Sequence, residues 1–235
     1  MSKNVFLIVA LAFGLGSLFF PASAQTTIFN IPSAETQGRG SWSVEADFIT
    51  KPVSYRDGGF QSYGYRAAYG LSNGTEIGSN FYLTKGIGDT TGQIEFSLKQ
   101  NIYRNEKLGV SVAGGAVVFL PVRSTNDDKP AVLVYANAKK TIESLNGLTV
   151  TGGVYHVFRG NNFGTKTGVI AAAVQPITKK FSFVADWYSG KNRLGYSSAG
   201  INYQISTRQY ILSGYSFGNS GRGNNAFAAY YGYTF

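Results

Sequence analysis

Short segments in which apolar and polar residues alternate recur along most of this chain, and they constrain its fold more than any other feature. In the first of them, one face would carry Trp42, Val44, Ala46 and Phe48, and the other Ser43, Glu45 and Asp47. Because successive side chains of a β-strand point to opposite faces, this period predicts strands with one apolar and one polar face. Segments of this kind, about twelve in all, predict an all-β fold.

The composition of the chain indicates where the apolar faces of these strands lie. Charged residues make up only 14% of the chain, and there is no cysteine to form a disulfide. This composition favours strands with one face in lipid, although a soluble all-β domain is the alternative. Downstream of residue 24, no stretch approaches the ~20 apolar residues of a membrane-spanning helix. In lipid the strands must then form a closed antiparallel barrel, because every backbone N–H and C=O needs a partner.

The connections between the predicted strands alternate between long and short. The long ones lie around 52–59, 86–92, 122–130, 159–166, 189–195 and 218–224, and the short ones near 72–74, 104–107, 143–147, 177–180 and 206–208. Up-and-down bacterial barrels have long extracellular loops, short periplasmic turns and an even strand number. The rhythm therefore predicts a transmembrane barrel of about twelve strands over residues 41–235.

The first 24 residues have the composition of a secretory signal. Lys3 provides a positive start, residues 5–20 are apolar, and Ala22-Ser23-Ala24 is a small-residue cleavage site. We expect Sec-type export, cleavage of residues 1–24 and a mature chain that begins at Gln25. Residues 25–40 contain Pro32 and scattered polar residues, and they predict a short periplasmic lead-in, with order against the barrel left open.

The last segment, Asn225 to Phe235, resembles the C-terminal signal strand of bacterial outer-membrane β-barrel proteins. The resemblance is carried by alternating aromatic positions, namely Phe227, Tyr231, Tyr233 and Phe235. It implies an outer-membrane location and insertion by the barrel-assembly machinery. It does not single out a subfamily within this porin-like class.

The net charge of +9 raises the possibility of nucleic-acid binding. The basic residues are spread over predicted loops and strand ends with no clustered stripe, so we expect no nucleic-acid site. The anionic surface of outer-membrane lipid and lipopolysaccharide is a better partner for this distribution.

Alternation also predicts which charged side chains line the lumen. The inward set is Glu45, Asp47, Arg66, Glu76, Glu95, Lys99, Lys139 and Asp186. Buried charges are costly unless they are paired or hydrated, so this set predicts either a narrow polar pore or a plugged core. Small inward residues such as Ala68, Gly70, Ala113 and Gly115 favour open space, whereas Tyr82, Tyr135, Tyr155 and Tyr188 reduce it.

The chain offers little chemistry for catalysis. Barrel phospholipases and lipid A deacylases place a Ser two residues after the catalytic His, but Phe158 follows His156 at that distance. Alternation places His156 on the lipid side. With no Cys and one His, a transition-metal site is not expected. We expect no enzyme activity, no metal and no cofactor.

Three functional hypotheses follow from these observations. The first is a narrow porin-like channel for small polar solutes. The second is a structural or surface-interaction barrel with a plugged lumen, for which the Gly/Asn-rich loops at 160–162 and 218–221 would make the contacts. The third is a lipid-modifying outer-membrane enzyme, which the broken motif at His156 disfavours.

Overall fold

A computed structural model describes residues 27–124 and 128–235 of the chain. It is a closed barrel in which twelve antiparallel strands follow one another in sequence order. The all-β fold, the barrel closure and the strand number predicted from the sequence are thereby confirmed. The expected signal peptide, residues 1–24, and the expected first mature residue, Gln25, lie outside the described residues.

Short turns and longer loops connect the strands. The strands are β1 (Trp42–Lys51), β2 (Phe60–Ser72), β3 (Thr75–Lys85), β4 (Thr91–Asn105), β5 (Val110–Arg123), β6 (Ala131–Ile142), β7 (Leu148–Arg159), β8 (Thr167–Pro176), β9 (Phe181–Tyr188), β10 (Tyr196–Ser206), β11 (Gln209–Gly218) and β12 (Ala226–Thr234). Three 3-10 turns lie at Tyr55–Asp57, Glu143–Leu145 and Arg222–Asn224. The bounds reproduce the predicted alternation of long and short connections. None of the helices in the described ranges is long and apolar enough to cross a membrane.

The last strand closes the barrel against the first. β12 pairs antiparallel with β1 from Ser43 opposite Thr234 to Thr50 opposite Phe227. The backbone N–H of Phe235 donates to the carbonyl of Trp42 at 2.8 Å, which extends the pairing to the end of the chain. Closure leaves neither strand with an unpaired edge, as a span through hydrocarbon requires.

The outer face is apolar, and the alternation predicted from the sequence decides which side chains lie on it. Phe96, Val154 and Phe158 are each more than half exposed, because they point away from the lumen. The structure also assigns β8, whose faces the sequence leaves open: Val169 lies outside and Ile170 is buried inside. An exposed apolar surface of this kind is stable in lipid and not in water.

Residues 27–40, hereafter the N-terminal segment, correct one expectation. Its residues 28–37 lie inside the barrel instead of forming a periplasmic lead-in, whereas residues 38–40 are exposed. Phe29, Ile31 and Ala34 have no exposed surface, and Ile28 is nearly buried. Burial of these apolar side chains favours the lumen over water, since each buried side chain of this size contributes about 1.5–3 kcal/mol.

The small inward residues are also used differently from the expectation. At Gly70, a β-carbon would lie 1.9 Å from the carbonyl oxygen of Gly38, so the missing side chain admits the backbone of the N-terminal segment. At Gly115, a β-carbon would lie 2.5 Å from the hydroxyl of Tyr135. Ala113 is fully buried, and only Ala68 of the four lines open space. Three of these four positions therefore accommodate other protein groups, and they leave less open volume in the lumen than the sequence predicted.

Gly70→Ala tests this close approach. The added methyl group cannot coexist with Gly38 in its present place, and overpacking of this kind costs about 1–3 kcal/mol. We expect faster hydrogen exchange at the amide of Gly40, which donates to the Gly70 carbonyl at 2.8 Å. Gly152→Ala is the matched control, because a β-carbon there meets no atom within 4 Å. Equal exchange rates in the two variants would contradict the close approach.

Candidate functional site

The lumen contains a polar cluster centred on Arg66 of β2. Its Nε lies 2.7 Å from Oδ2 of Asp47, and its Nη1 lies 3.3 Å from Oε1 of Glu45. The hydroxyl of Tyr82 also donates to Asp47, at 2.9 Å, and Tyr210 donates to Glu45. The registers of β1 with β2 and β12 bring these groups together, since Glu45 lies opposite Arg66 on the neighbouring strand. The guanidinium is thus neutralised within the wall.

A second cluster pairs the remaining predicted cations with carboxylates. Nζ of Lys99 lies 3.1 Å from Oε1 of Glu76, and both side chains are almost fully buried. Oε2 of Glu76 accepts the backbone N–H of Gln37 at 2.8 Å. Lys139 pairs with Glu35, which belongs to the N-terminal segment. Both ion pairs therefore also attach the segment to the wall, one through Glu76 and Gln37 and the other through Glu35.

Asp186 of β9 binds the N-terminal segment through its backbone. Its Oδ2 accepts the backbone N–H groups of Phe29, Asn30 and Ile31 at 3.2, 2.5 and 2.9 Å. A buried carboxylate without a cation needs hydrogen bonds to be stable, and three N–H donors supply them. The side-chain amide of Asn30 continues the contact to Oγ of Ser198 on β10, at 2.6 Å.

Neutral wall side chains bind the carbonyl groups of the same segment. The amide of Asn137 donates to the carbonyl of Pro32 at 2.6 Å. The amide of Asn101 and the hydroxyl of Ser111 both donate to the carbonyl of Ala34, at 2.9 and 3.0 Å. Side chains of β4, β5, β6 and β9 thus bind both the N–H and the carbonyl groups of the segment's backbone.

Phe29 anchors the segment by packing. Its ring meets that of Tyr230 edge-on, with centroids 5.5 Å apart. On the neighbouring strands β10 and β11, β-carbons at Gly200 and Gly214 would each lie 2.8 Å from Cε2 of Phe29, so glycine leaves room for the ring. The pairing of Gly200 with Gly214 across β10 and β11 makes this recess a local feature of two strands.

A cavity of about 690 Å³ occupies the part of the lumen that the N-terminal segment leaves free. Its lining includes Arg123 and Arg193 at the long-loop end, and Thr207 and Arg208 at the short-turn end. Glu95 lines it between these ends and accepts hydrogen bonds from the side-chain amides of Asn80 and Gln93, at 2.7 and 2.6 Å. The cavity therefore extends along the barrel and has both polar and apolar lining residues.

Hydrogen bonds between the long loops narrow the mouth of the cavity. The amide of Asn192 donates to the hydroxyl of Tyr155 at 2.7 Å and to the carbonyl of Thr165 at 2.8 Å. The amide of Asn219 donates to the carbonyl of Tyr188 at 2.7 Å. The guanidinium of Arg193 crosses the mouth and donates to Oε1 of Gln93 on β4. Loops from β7 to β12 thus form one connected rim.

All eight charged residues that the alternation assigned to the lumen face inward, and the contacts sort them into different roles. Six take part in ion pairs, Asp186 binds the segment, and Glu95 faces the cavity. Sequence reasoning missed the neutral residues Asn101, Ser111, Asn137 and Gln93, because a single inward amide or hydroxyl has no distinctive spacing. Only their partners in the folded chain reveal their roles.

The remaining predicted positions lie on the outer surface. Phe227, Tyr231 and Phe235 are exposed along β12 and just beyond it, and the ring of Tyr233 contacts that of Phe235 at 4.6 Å. His156 also faces outward: its Nδ1 lies 2.6 Å from Oγ1 of Thr167, and its ring meets Phe158. Within residues 27–124 and 128–235, no cluster of three His, Cys, Asp or Glu residues has the geometry to hold a metal ion.

Comparison with known proteins finds the fold among bacterial outer-membrane barrels. No protein-family model and no curated protein matches the chain. Two structures of KdgM porin, one in complex with disordered oligogalacturonate, align with TM-scores of 0.61 and 0.60. Each is 10% identical, and the alignments cover 83% and 82% of this chain and 99% of the porin. The outer membrane protein Omp33 of Acinetobacter baumannii aligns with a TM-score of 0.46 at 11% identity, covering 83% of this chain and 97% of that protein.

The fold is that of a bacterial outer-membrane β-barrel, and its exposed apolar belt supports an outer-membrane location. These identities are too low to transfer a substrate or an activity. What the barrel does has to be argued from the lumen itself.

Asp186→Ala tests the attachment of the N-terminal segment. It leaves three backbone N–H groups without their acceptor, at about 1–3 kcal/mol for each buried group. We expect the segment to detach and to become sensitive to limited proteolysis in the folded, detergent-solubilised protein.

The barrel itself should keep its melting temperature, because the backbone ladders of β9 with β8 and with β10 do not involve this side chain. Asp186→Asn retains one carbonyl oxygen as acceptor and should be intermediate. A segment that stays as protected in Asp186→Ala as in the unmodified protein would show that packing alone holds it.

Proposed function

We propose that this protein is an outer-membrane channel that admits small polar solutes through a narrow lumen, part of which the N-terminal segment occupies. The observation that carries the proposal is the cavity of about 690 Å³, whose lining reaches from Arg193 at the long-loop end to Arg208 at the short-turn end. A barrel with a structural role alone needs no such space.

The electrostatics of the lumen support small solutes of low net charge. Arg66 and Lys99 line the cavity, but each is paired with a carboxylate of the wall. An anionic solute would have to compete with those carboxylates for the cations. The oligogalacturonate named with the KdgM porin is a polyanion, and we do not extend that substrate to this chain.

The same structure favours a second candidate, a structural or surface-interaction barrel with a closed lumen. The docked N-terminal segment and the hydrogen-bonded rim at Asn192 and Asn219 would keep such a lumen closed. Under this alternative, the long loops would make the functional contacts and the cavity would hold only water.

Three further points belong to the proposal. We expect the aromatic row that ends at Phe235 to serve as the recognition strand for the barrel-assembly machinery. The exposed belt should lie in outer-membrane lipid, with basic loop residues beside the phosphates of lipopolysaccharide. We propose no enzyme activity, since the ring of His156 faces outward beside Thr167 and Phe158.

Deleting residues 28–37 distinguishes the two candidates. The deletion removes Phe29 and the backbone that Asp186 binds, and leaves the strands intact. In planar bilayers we expect the unmodified protein to conduct weakly and the deletion variant to conduct several times more, because the lumen becomes wider and wetter.

The matched control removes residues 56–58, an exposed loop tip outside the lumen, and should conduct like the unmodified protein. Folding of all three proteins can be checked by the heat-dependent shift of barrels in gel electrophoresis. A well-folded unmodified protein with no conductance above background would overturn the channel and leave the closed barrel.

A further inference from the structure

Glu95 and Arg193 are opposite charges that face one cavity without being paired. Both side chains line the space of about 690 Å³ in the lumen. Within the part of the chain that the structure describes, neither takes part in an ion pair. Glu95 is half-buried on β4 and Arg193 is exposed in the loop between β9 and β10, so solute in the cavity reaches both.

One neutral side chain connects these two charges. The guanidinium of Arg193 donates to Oε1 of Gln93, and Nε2 of Gln93 donates to Oε1 of Glu95 at 2.6 Å. The amide of Asn80 donates to the other carboxylate oxygen, Oε2, at 2.7 Å. The Gln93 amide therefore offers an acceptor to the cation and a donor to the anion from two atoms of one small group.

The other charged groups of the lumen are arranged differently. Arg66 lies against Asp47, and Lys99 lies against Glu76, at direct ion-pair distances. Asp186 has no cation but receives three backbone N–H groups. Among the lumen contacts described above, only the Gln93 amide is hydrogen-bonded to both a carboxylate and a guanidinium.

We propose that this arrangement binds a small zwitterion, with an α-amino acid as the solute class. The carboxylate of such a solute would accept from Arg193, and its ammonium group would donate to Glu95. The site rests on the proposed function to the extent that the solute must enter the lumen. The geometry is the one that Gln93 already satisfies with a neutral amide.

Hydrogen-bond strength favours the zwitterion over the amide that it would displace. Each bond that Gln93 makes to Arg193 or Glu95 has one charged partner, whereas each bond of the zwitterion would have two, and the attraction between opposite charges is strengthened where the site is partly buried. An acid or an amine would complement only one of the two charges and leave the other unpaired. A long ω-amino acid would place its charges too far apart to replace a single amide.

The test measures binding of solutes to the protein directly, so that its result does not depend on whether they permeate the barrel. Detergent-folded protein is titrated with glycine and alanine by isothermal titration calorimetry. Acetate, ethylamine, acetamide and 6-aminohexanoate serve as the comparison solutes. We expect saturable binding of the two α-amino acids and at least about tenfold weaker binding of the other four, because acetate and ethylamine lack one charge, acetamide lacks both, and the charges of 6-aminohexanoate are too far apart.

Three variants locate the site. Glu95→Gln and Arg193→Gln each remove one charge while retaining a hydrogen-bonding side chain, and each should weaken glycine binding by about tenfold or more. Arg123→Gln is the matched control, since Arg123 also lines the cavity but is paired with Asp89 at 3.5 Å. It should bind glycine as the unmodified protein does.

The outcomes separate this inference from the channel proposal. Conductance without glycine binding would overturn the zwitterion site and keep the channel. Glycine binding that survives both Glu95→Gln and Arg193→Gln would place any amino-acid site elsewhere and also overturn the inference. Binding of acetamide as tight as that of glycine would show that the site selects an amide and not a zwitterion. Loss of both conductance and binding in folded protein would remove the channel as well.

Discussion

The structure depends on one constraint: a peptide segment inside a closed barrel must have its backbone groups paired by the wall. The strands use most of their backbone donors and acceptors on one another, although the carbonyl of Gly70 also accepts the N–H of Gly40 from the segment at 2.8 Å. Side chains therefore meet the N-terminal segment, with Asp186 accepting three N–H groups and Asn101, Ser111 and Asn137 donating to carbonyls. The polar residues of the lumen follow from this demand as much as from any solute.

This constraint divides the lumen into two parts with different chemistry. Where the segment docks, Phe29 fills a recess beside Gly200 and Gly214, and polar groups are bound to backbone. Where it does not dock, paired charges and the Glu95–Gln93–Arg193 chain of hydrogen bonds face open space. A structural barrel requires only the first part. The second part is the reason for proposing a channel, and it fits small solutes better than polyanions.

The strand pattern was predictable because lipid and lumen impose opposite polarity on alternate residues. Trp42 and Glu45 fall on different faces for that reason, and so do Val154 and Tyr155. β8 could not be assigned, since its run of small and apolar residues suits both environments. The position of residues 28–37 inside the barrel was not predicted, because a segment bound by scattered side chains has no period of its own, and Pro32 and the scattered polar residues indicated a lead-in.

The sequence by itself determined the closed barrel, its twelve strands, its alternating loops and the set of charges that face inward. Local periodicity is enough for this, because side-chain direction in a strand depends only on position along the chain. Only the tertiary structure decided which charges pair, where the N-terminal segment lies and what space remains. Those outcomes depend on strand register and on contacts such as that of Asp186 with Asn30, which are 156 residues apart in sequence. A local sequence pattern cannot predict a contact between residues that are so far apart in the chain.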